Sequence, residues 1–554
     1  MRRLLLCSVT GLLALASQPT LAQQTPPTTP AAVNVTPPAP TACTGTPDPY
    51  ANFACLDPYL GDNVFGRLFN YYKLEWGQAV PPTDPNALSS RREGWPDAPM
   101  TTPPMPFTEW PYGGTTSIGV TRPNSVDSPL MNAISNTSFG QWLNDAHIQI
   151  YGWINAGGNL STNTTRPGGN APVAYAYTPN TVQFDQGVIY IDRTPDTVQN
   201  DHFDWGFRIS GIYGENYRYT TSYGIASYQL LNQNRTTGYD FPMVYGELYF
   251  PFVQGLLIRI GRYISLPDIE AQLAPNNYMY THSLTYAYDN YTNEGVQASL
   301  QLTENVLVQL GVSMGSDTAV WHYNEKVNNP YPNPLYPGST FLKDPGAKPS
   351  FTGCIRIDWN NGNDNLYPCM DAINNGVWGY NNLQWYGFTY YHKFDDHWHI
   401  SFEFYDLHQN GVANLNNPAV STIIANGGTP FSPQYLPYNA PNGAHCASTT
   451  VYRCTAYAIG QVAYLNYSPD PMNNFSFRPE AYLDPQGQRT GTPATYLAMS
   501  LGWQHWFSPQ LEVRPEIGYY HSFGGYAFNG DANKGVSSNK NNMGLLAGDF
   551  ILHF

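Results

Sequence analysis

The sequence predicts an all-β protein: a transmembrane antiparallel β-barrel of 14 strands, with 12 or 16 also compatible. Three observations predict it. The chain ends in an alternating stretch, Met543 to Phe554, with Phe550, Leu552 and Phe554 on one face and Asp549, Ile551 and His553 on the other. The first face suits lipid and the second an aqueous lumen. Fourteen segments from His147 onward carry period-2 alternation: 147–160, 182–193, 203–213, 243–250, 256–264, 294–302, 306–314, 383–393, 398–407, 456–466, 475–484, 495–506, 511–520 and 543–554. Most are close to the roughly 9–11 residues that cross a bilayer on a tilt. The gaps between them alternate, every odd-numbered gap being longer than every even-numbered one. Strands running up and down through a membrane, with long outer loops and short periplasmic turns, produce that asymmetry; a soluble sandwich does not. An even strand count puts both chain ends in the periplasm.

Taken in order, Arg2 and Arg3, the apolar stretch Leu4–Ala16 and the small-x-small site Thr20-Leu21-Ala22 make residues 1–22 a signal peptide. Cys7 lies too early to be a lipid-attachment cysteine. Residues 23–42 are a Pro/Thr-rich spacer. Residues 43–140 form an N-terminal segment, periplasmic or lumen-plugging, with a short helix expected over 65–76 that puts Leu68, Phe69 and Tyr72 on one side. Residues 141–554 are the barrel. In the segment from 306, Val306, Val308, Leu310, Val312 and Met314 oppose Gln309, Gly311 and Ser313. In the segment from 475, Phe475, Phe477, Ala481 and Leu483 oppose Ser476, Arg478, Glu480 and Asp484. The segments 383–393 and 456–466 are aromatic or mixed on both faces.

Composition agrees. Charged residues are 12% of the chain, against roughly 25% in soluble domains. Aromatics are 15%, with 43 Tyr and 13 Trp, a surplus that interfacial girdles can use. Without Arg2 and Arg3, 23 Lys+Arg face 40 Asp+Glu, which disfavours nucleic acid and mildly favours cations in a pore. The six later cysteines fall into three close pairs, Cys43 with Cys55, Cys354 with Cys369 and Cys446 with Cys454, which in an exported protein read as disulfides. The last two pairs fall in the two longest outer loops.

Inward charges are the chemistry of a pore. Arg208, Glu247, Arg259, Arg478, Glu480, Asp484, Arg514 and Glu516 lie on polar faces and are expected to line it. Arg478–Glu480 and Arg514–Glu516 repeat one R-P-E triplet, which serves either a transverse field that orients solutes or charge pairing that holds a polar lumen in shape. The third outer loop, 265–293, is too apolar and aromatic to sit in water. It is expected to fold into the lumen and constrict it, with Asp268, Glu270, Asn276 and Asn277 exposed to solute.

Enzyme signatures are weak. Gly311-Val-Ser-Met-Gly315 matches G-x-S-x-G but lies within a strand with no helix after it. His399, Ser401 and Glu403 share one face, which a barrel lipase or protease could use but which reads as a polar lumen stripe. His397 and His399 alone make a poor metal site. No metal or cofactor is expected.

Six stretches carry a family resemblance: Tyr151-Gly-Trp-Ile-Asn-Ala-Gly-Gly-Asn159, Asp204-Trp-Gly-Phe-Arg208, Gly261-Arg-Tyr263 through Ala274-Pro-Asn-Asn277, Phe477-Arg-Pro-Glu480, Gln486-Gly-Gln-Arg-Thr-Gly491 and Arg514-Pro-Glu516. Together they resemble the putative beta-barrel porin-2 (OmpL-like) family of Gram-negative outer membranes, over about residues 150–554. The resemblance implies passive diffusion through an outer-membrane channel and names no solute. The expected function is a porin for small hydrophilic solutes, mildly cation-preferring or sugar-permeable. A barrel enzyme, or a surface adhesin working through stapled loops, is the alternative. The expected partners are outer-membrane lipids and lipopolysaccharide, those solutes, and further copies of the chain.

Overall fold

The computed structural model describes residues 60–75, 108–109, 114–115 and 128–554, the last apart from 198, 223–224, 232–234, 265–267, 323–347, 361–362, 379–381, 396, 426–442, 471, 509 and 532–534. The signal peptide expected over 1–22 and the spacer expected over 23–42 lie outside these residues. Cys43 lies outside them, and so does Cys55. The disulfide expected between Cys43 and Cys55 is therefore not among the two that the described residues contain, Cys354–Cys369 and Cys446–Cys454.

Sixteen strands close into one antiparallel barrel. They are β1 Gln149–Ser161, β2 Val182–Arg193, β3 Asp204–Gly214, β4 Gly238–Asp240 with Val244–Phe250, β5 Leu256–Ile264, β6 Thr292–Thr303, β7 Val306–Ser316 and β8 Ser350–Trp359. The circuit continues with β9 Asp364–Ile373, β10 Gln384–Lys393, β11 Trp398–Ala413, β12 Arg453–Asp470, β13 Asn473–Asp484, β14 Ala494–Ser508, β15 Leu511–Val513 with Glu516–Phe523, and β16 Asn542–His553. Each pairs with the next, and β16 closes on β1 from Leu545↔Ser161 to His553↔Trp153. β4 and β15 are broken beside Pro242 and Pro515, which have no N–H to give the ladder.

The count of 14 is thereby corrected to 16. The missed hairpin, β8–β9, lies inside the 315–382 gap. β8 does alternate, with Phe351, Ile355, Ile357 and Trp359 outward, but Gly353 interrupts the run. β9 carries Pro368 in mid-strand, a residue that argues against a strand when read from sequence. Here Pro368 is exposed on the outer face, beside Leu366 and Met370. A hairpin adds two crossings, so the parity of the loops survives. The connections 162–181, 215–237, 265–291, 317–349, 374–383, 414–452, 485–493 and 524–541 share one rim, and the turns, among them 304–305 and 394–397, share the other. The length rule fails only against the turn 194–203, which 374–383 equals and 485–493 falls short of by one residue.

Cys354–Cys369 is a disulfide, but not in a loop. Its cysteines are register partners across β8 and β9, buried on the inner face of the wall. Cys446–Cys454 ties the loop 414–452 to the start of β12.

The two faces of the wall differ as the alternation requires. On β14, Leu497, Met499 and Leu501 are exposed outward, whereas Tyr496, Ala498, Ser500 and Gln504 are buried inward. Trp359, Phe394, Trp398, Phe475, Trp503 and Phe507 lie exposed towards the short-turn rim, where amphipathic rings suit a membrane interface. Among the described residues no helix is long and apolar enough to cross a membrane.

Three helices stand at the short-turn end: α1 Val64–Glu75, α2 Pro129–Ile134 and α3 Ser138–Asp145. Ser128 Oγ accepts from Met131 N and Thr137 Oγ1 from Gly140 N, so the two shorter helices start on side-chain caps. α1 is shifted by one residue from the expected 65–76 and docks through a different face, Arg67 and Tyr71, leaving Phe69 64% exposed. The reason is electrostatic: Arg67 donates to Asn132 O (3.0 Å) and Ala133 O (3.2 Å), carbonyls of the last turn of α2. Tyr72 OH donates to His553 O, joining α1 to the last strand.

Candidate functional site

The segment 268–291 leaves the long-loop rim and lies inside the barrel, bonded to strands on several sides. On β2, Gln186 donates to Gln272 O (2.8 Å) and accepts from Ala274 N (3.1 Å). On β11, Glu403 accepts from Ile269 N (3.0 Å) and Tyr405 OH donates to Thr285 O (2.5 Å). The two R-P-E triplets complete the cradle from β13 and β15. Arg478 donates to Glu270 Oε1 (3.1 Å) and Thr281 Oγ1 (2.9 Å), and Arg514 to Ala274 O (2.6 Å) and Asn277 O (2.9 Å). Their glutamates do the converse. Glu480 accepts from Thr285 N (2.6 Å) and Glu516 from Thr281 N (2.8 Å). Each triplet thus offers the loop one donor and one acceptor, and a buried backbone needs both.

The wall leaves room for the loop. A Cβ on Gly157 would fall 2.5 Å from the Tyr280 ring, and one on Gly502 would fall 2.8 Å from Met279 Cγ. Above the loop, Tyr175 of the first long connection stacks on His282 at 3.7 Å and on Tyr219 of the second at 4.1 Å. Three long connections therefore meet in one aromatic stack inside the barrel.

All eight residues expected to line a pore point inward and are buried, and each has a partner. Arg208 pairs with Asp192 (2.8 Å), Glu247 with Arg259 (2.8 Å), Arg478 with Glu270 (3.1 Å) and Arg514 with Asp549 (2.5 Å). Asp484 accepts from the backbone N–H groups of Gln488, Arg489 and Thr490, which turns the connection 485–493. Arg489 in turn donates to Tyr288 O at 2.9 Å.

Asp268, Glu270, Asn276 and Asn277, expected to be exposed to solute, are at most 5% exposed. The cause is the depth of insertion. Glu270 accepts from Ser283 N (3.0 Å) and Tyr464 OH (2.5 Å), and Asn277 bonds Ala271 and Leu273 across a tight turn. Sequence reasoning missed Thr281, Ser283, Thr285 and Arg489; the repeated triplet was the signal available. Burial, together with the carboxylates beside them, holds the Asp268 and Asp289 carboxyls well above the usual carboxylate range.

The suspected hydrolase trio is not joined. His399 Nε2 contacts Tyr278 OH at 3.1 Å, Glu403 holds the loop backbone, and Ser401 Oγ has no hydrogen-bond partner among the described residues. Ser313 of the G-x-S-x-G match lies within β7 and donates to Asn293 Oδ1 at 2.9 Å.

The family model described as Putative beta-barrel porin-2, OmpL-like, matches residues 147–554. The chain belongs to that family. The match begins where α3 gives way to β1, so it spans the whole barrel, β1 through β16. Comparison with curated proteins returns no match. Among solved structures, the chain is similar to an anion-selective porin from Comamonas acidovorans, at 9% identity and TM-score 0.42, over 74% of this chain and 99% of that one. It is also similar to the outer membrane channel DcaP of Acinetobacter baumannii, at 9% identity and TM-score 0.41, over 74% of this chain and 97% of that one. OmpT of Vibrio cholerae, folded in vitro, aligns at 9% identity and TM-score 0.39, over 74% of this chain and 97% of that one.

Proposed function

We propose that this porin passes small hydrophilic solutes by diffusion, with a mild preference for cations, and that the segment 268–291 is its constriction. The observation that carries the reading is the pinned inner loop: a segment held across a closed barrel by wall charges narrows whatever path the barrel offers. Cation preference is supported by how the inner charges are spent. Arg208, Arg259, Arg478 and Arg514 are each matched by a carboxylate, whereas Asp268 and Glu403 have only other acids as charged neighbours and Asp289 has Arg489 as its one nearby cation among the described residues. In this reading the long connections face outward, and the short turns and the chain end at Phe554 face the periplasm.

The test is planar-bilayer conductance of the refolded protein under a salt gradient. A small conductance with a reversal potential on the cation side is expected. The absence of channels would sink the porin reading, and anion selectivity would sink the charge argument alone.

A further inference from the structure

The inner loop enters the barrel at Asp268 and turns back towards the wall at Asp289. There the two carboxylates meet Glu403 of β11, with one oxygen of each residue within 4.8 Å of the others. Glu403 is the independent pointer, because it comes from the wall rather than from the loop. Its side chain is fully buried, Oε2 takes the Ile269 N–H, and Oε1 has no hydrogen-bond partner. Asp268 Oδ1 and Asp289 Oδ2 are also buried without a partner. Elsewhere in the lumen, Asp192, Glu247, Glu270 and Asp549 each have an arginine within ion-pair distance. Three carboxyls this close in a low-dielectric interior can all be ionised only with a positive charge among them.

We infer that Asp268, Asp289 and Glu403 bind a calcium ion at the neck of the inner loop. The donor set is oxygen only, which selects a hard cation over zinc or copper. The three oxygens lie close enough to share one ion; Ca²⁺ accepts carboxylates in flexible geometry, whereas Mg²⁺ demands a near-ideal octahedron and gives up its water reluctantly. Water fills the remaining positions that Ca²⁺ requires. The ion ties both feet of the loop to β11, and the site requires nothing of what crosses the barrel.

The test uses the full-length protein, refolded in detergent micelles and washed with chelator. Terbium(III) is titrated with Tyr/Trp excitation and then displaced with Ca²⁺. One saturable site that Ca²⁺ empties is expected. Its affinity should be weakened at least about tenfold in E403Q and in D289N, and unchanged in D406N, which removes an acid from the same strand outside the cluster. Heat-modifiable migration on gels reports folding of each variant. If E403Q does not refold, D289N and the wild-type displacement decide. Wild-type protein without a saturable terbium site, or E403Q and D289N binding as tightly as wild type, would overturn the inference.

Discussion

The described residues of two long connections of one rim, 265–291 and 414–452, are held by different physics. The first is held from outside itself. Arg478, Glu480, Arg514 and Glu516 grip its backbone, and the loop supplies the matching groups. The second is held by a covalent tie and a small apolar core. Cys446–Cys454 fastens its end to β12, Asn414 bonds Cys446 N and Val451 O, and Val420 and Ala444 pack with Trp378 and Val412 beneath the disulfide. A loop inside the barrel meets wall charges that must be paired anyway, so polar bonds are the available glue. A loop at the rim meets water, where the same ion pairs contribute little and a covalent tie keeps its value.

That contrast can be broken at either end. The largest effect is expected from deleting 270–285, which should raise single-channel conductance severalfold; an unchanged conductance would mean the segment constricts nothing. Next is Arg514→Met, which strands Asp549 and two loop carbonyls in the interior. Removing one partner of a buried pair costs about 3–5 kcal/mol, so the denaturation midpoint should fall and the loop should become cleavable by protease. A variant as stable and as resistant as wild type would contradict the cradle.

The double change Cys446→Ser with Cys454→Ser should cost the rim loop roughly 2–3 kcal/mol. Proteolysis within 414–452 should accelerate while conductance stays as it was, and a conductance change would show that the two loops are coupled. The smallest effect is expected at the wall glycine. Gly502→Val crowds Met279, whose flexible chain can yield, so about 1–3 kcal/mol is expected from thermal unfolding.

Much of the barrel was legible because alternation is a local property of the chain. Fourteen of the sixteen strands were read from it, although 383–393 and 456–466 are mixed on both faces. β9 did not, since Pro368 and a mixed face hide a strand whose edge is satisfied only by its neighbours. The R-P-E triplets were visible as a repeat, yet their role was not. Arg478 and Thr281 meet only when the barrel closes, and no local pattern links residues so far apart. The same holds for Cys354 and Cys369. Their pairing followed from spacing, but their place in the wall depended on strands that the pattern did not reveal.

By itself, then, the chain determined the barrel, the parity of its loops and the outward face of the strands that alternate cleanly, because period-2 alternation acts residue by residue. Only the tertiary structure decided what fills the barrel. Which wall charge faces which loop atom depends on the order in which strands close the circle, and that closure turned eight expected pore charges into buried, partnered groups and set Glu403 beside Asp268 and Asp289.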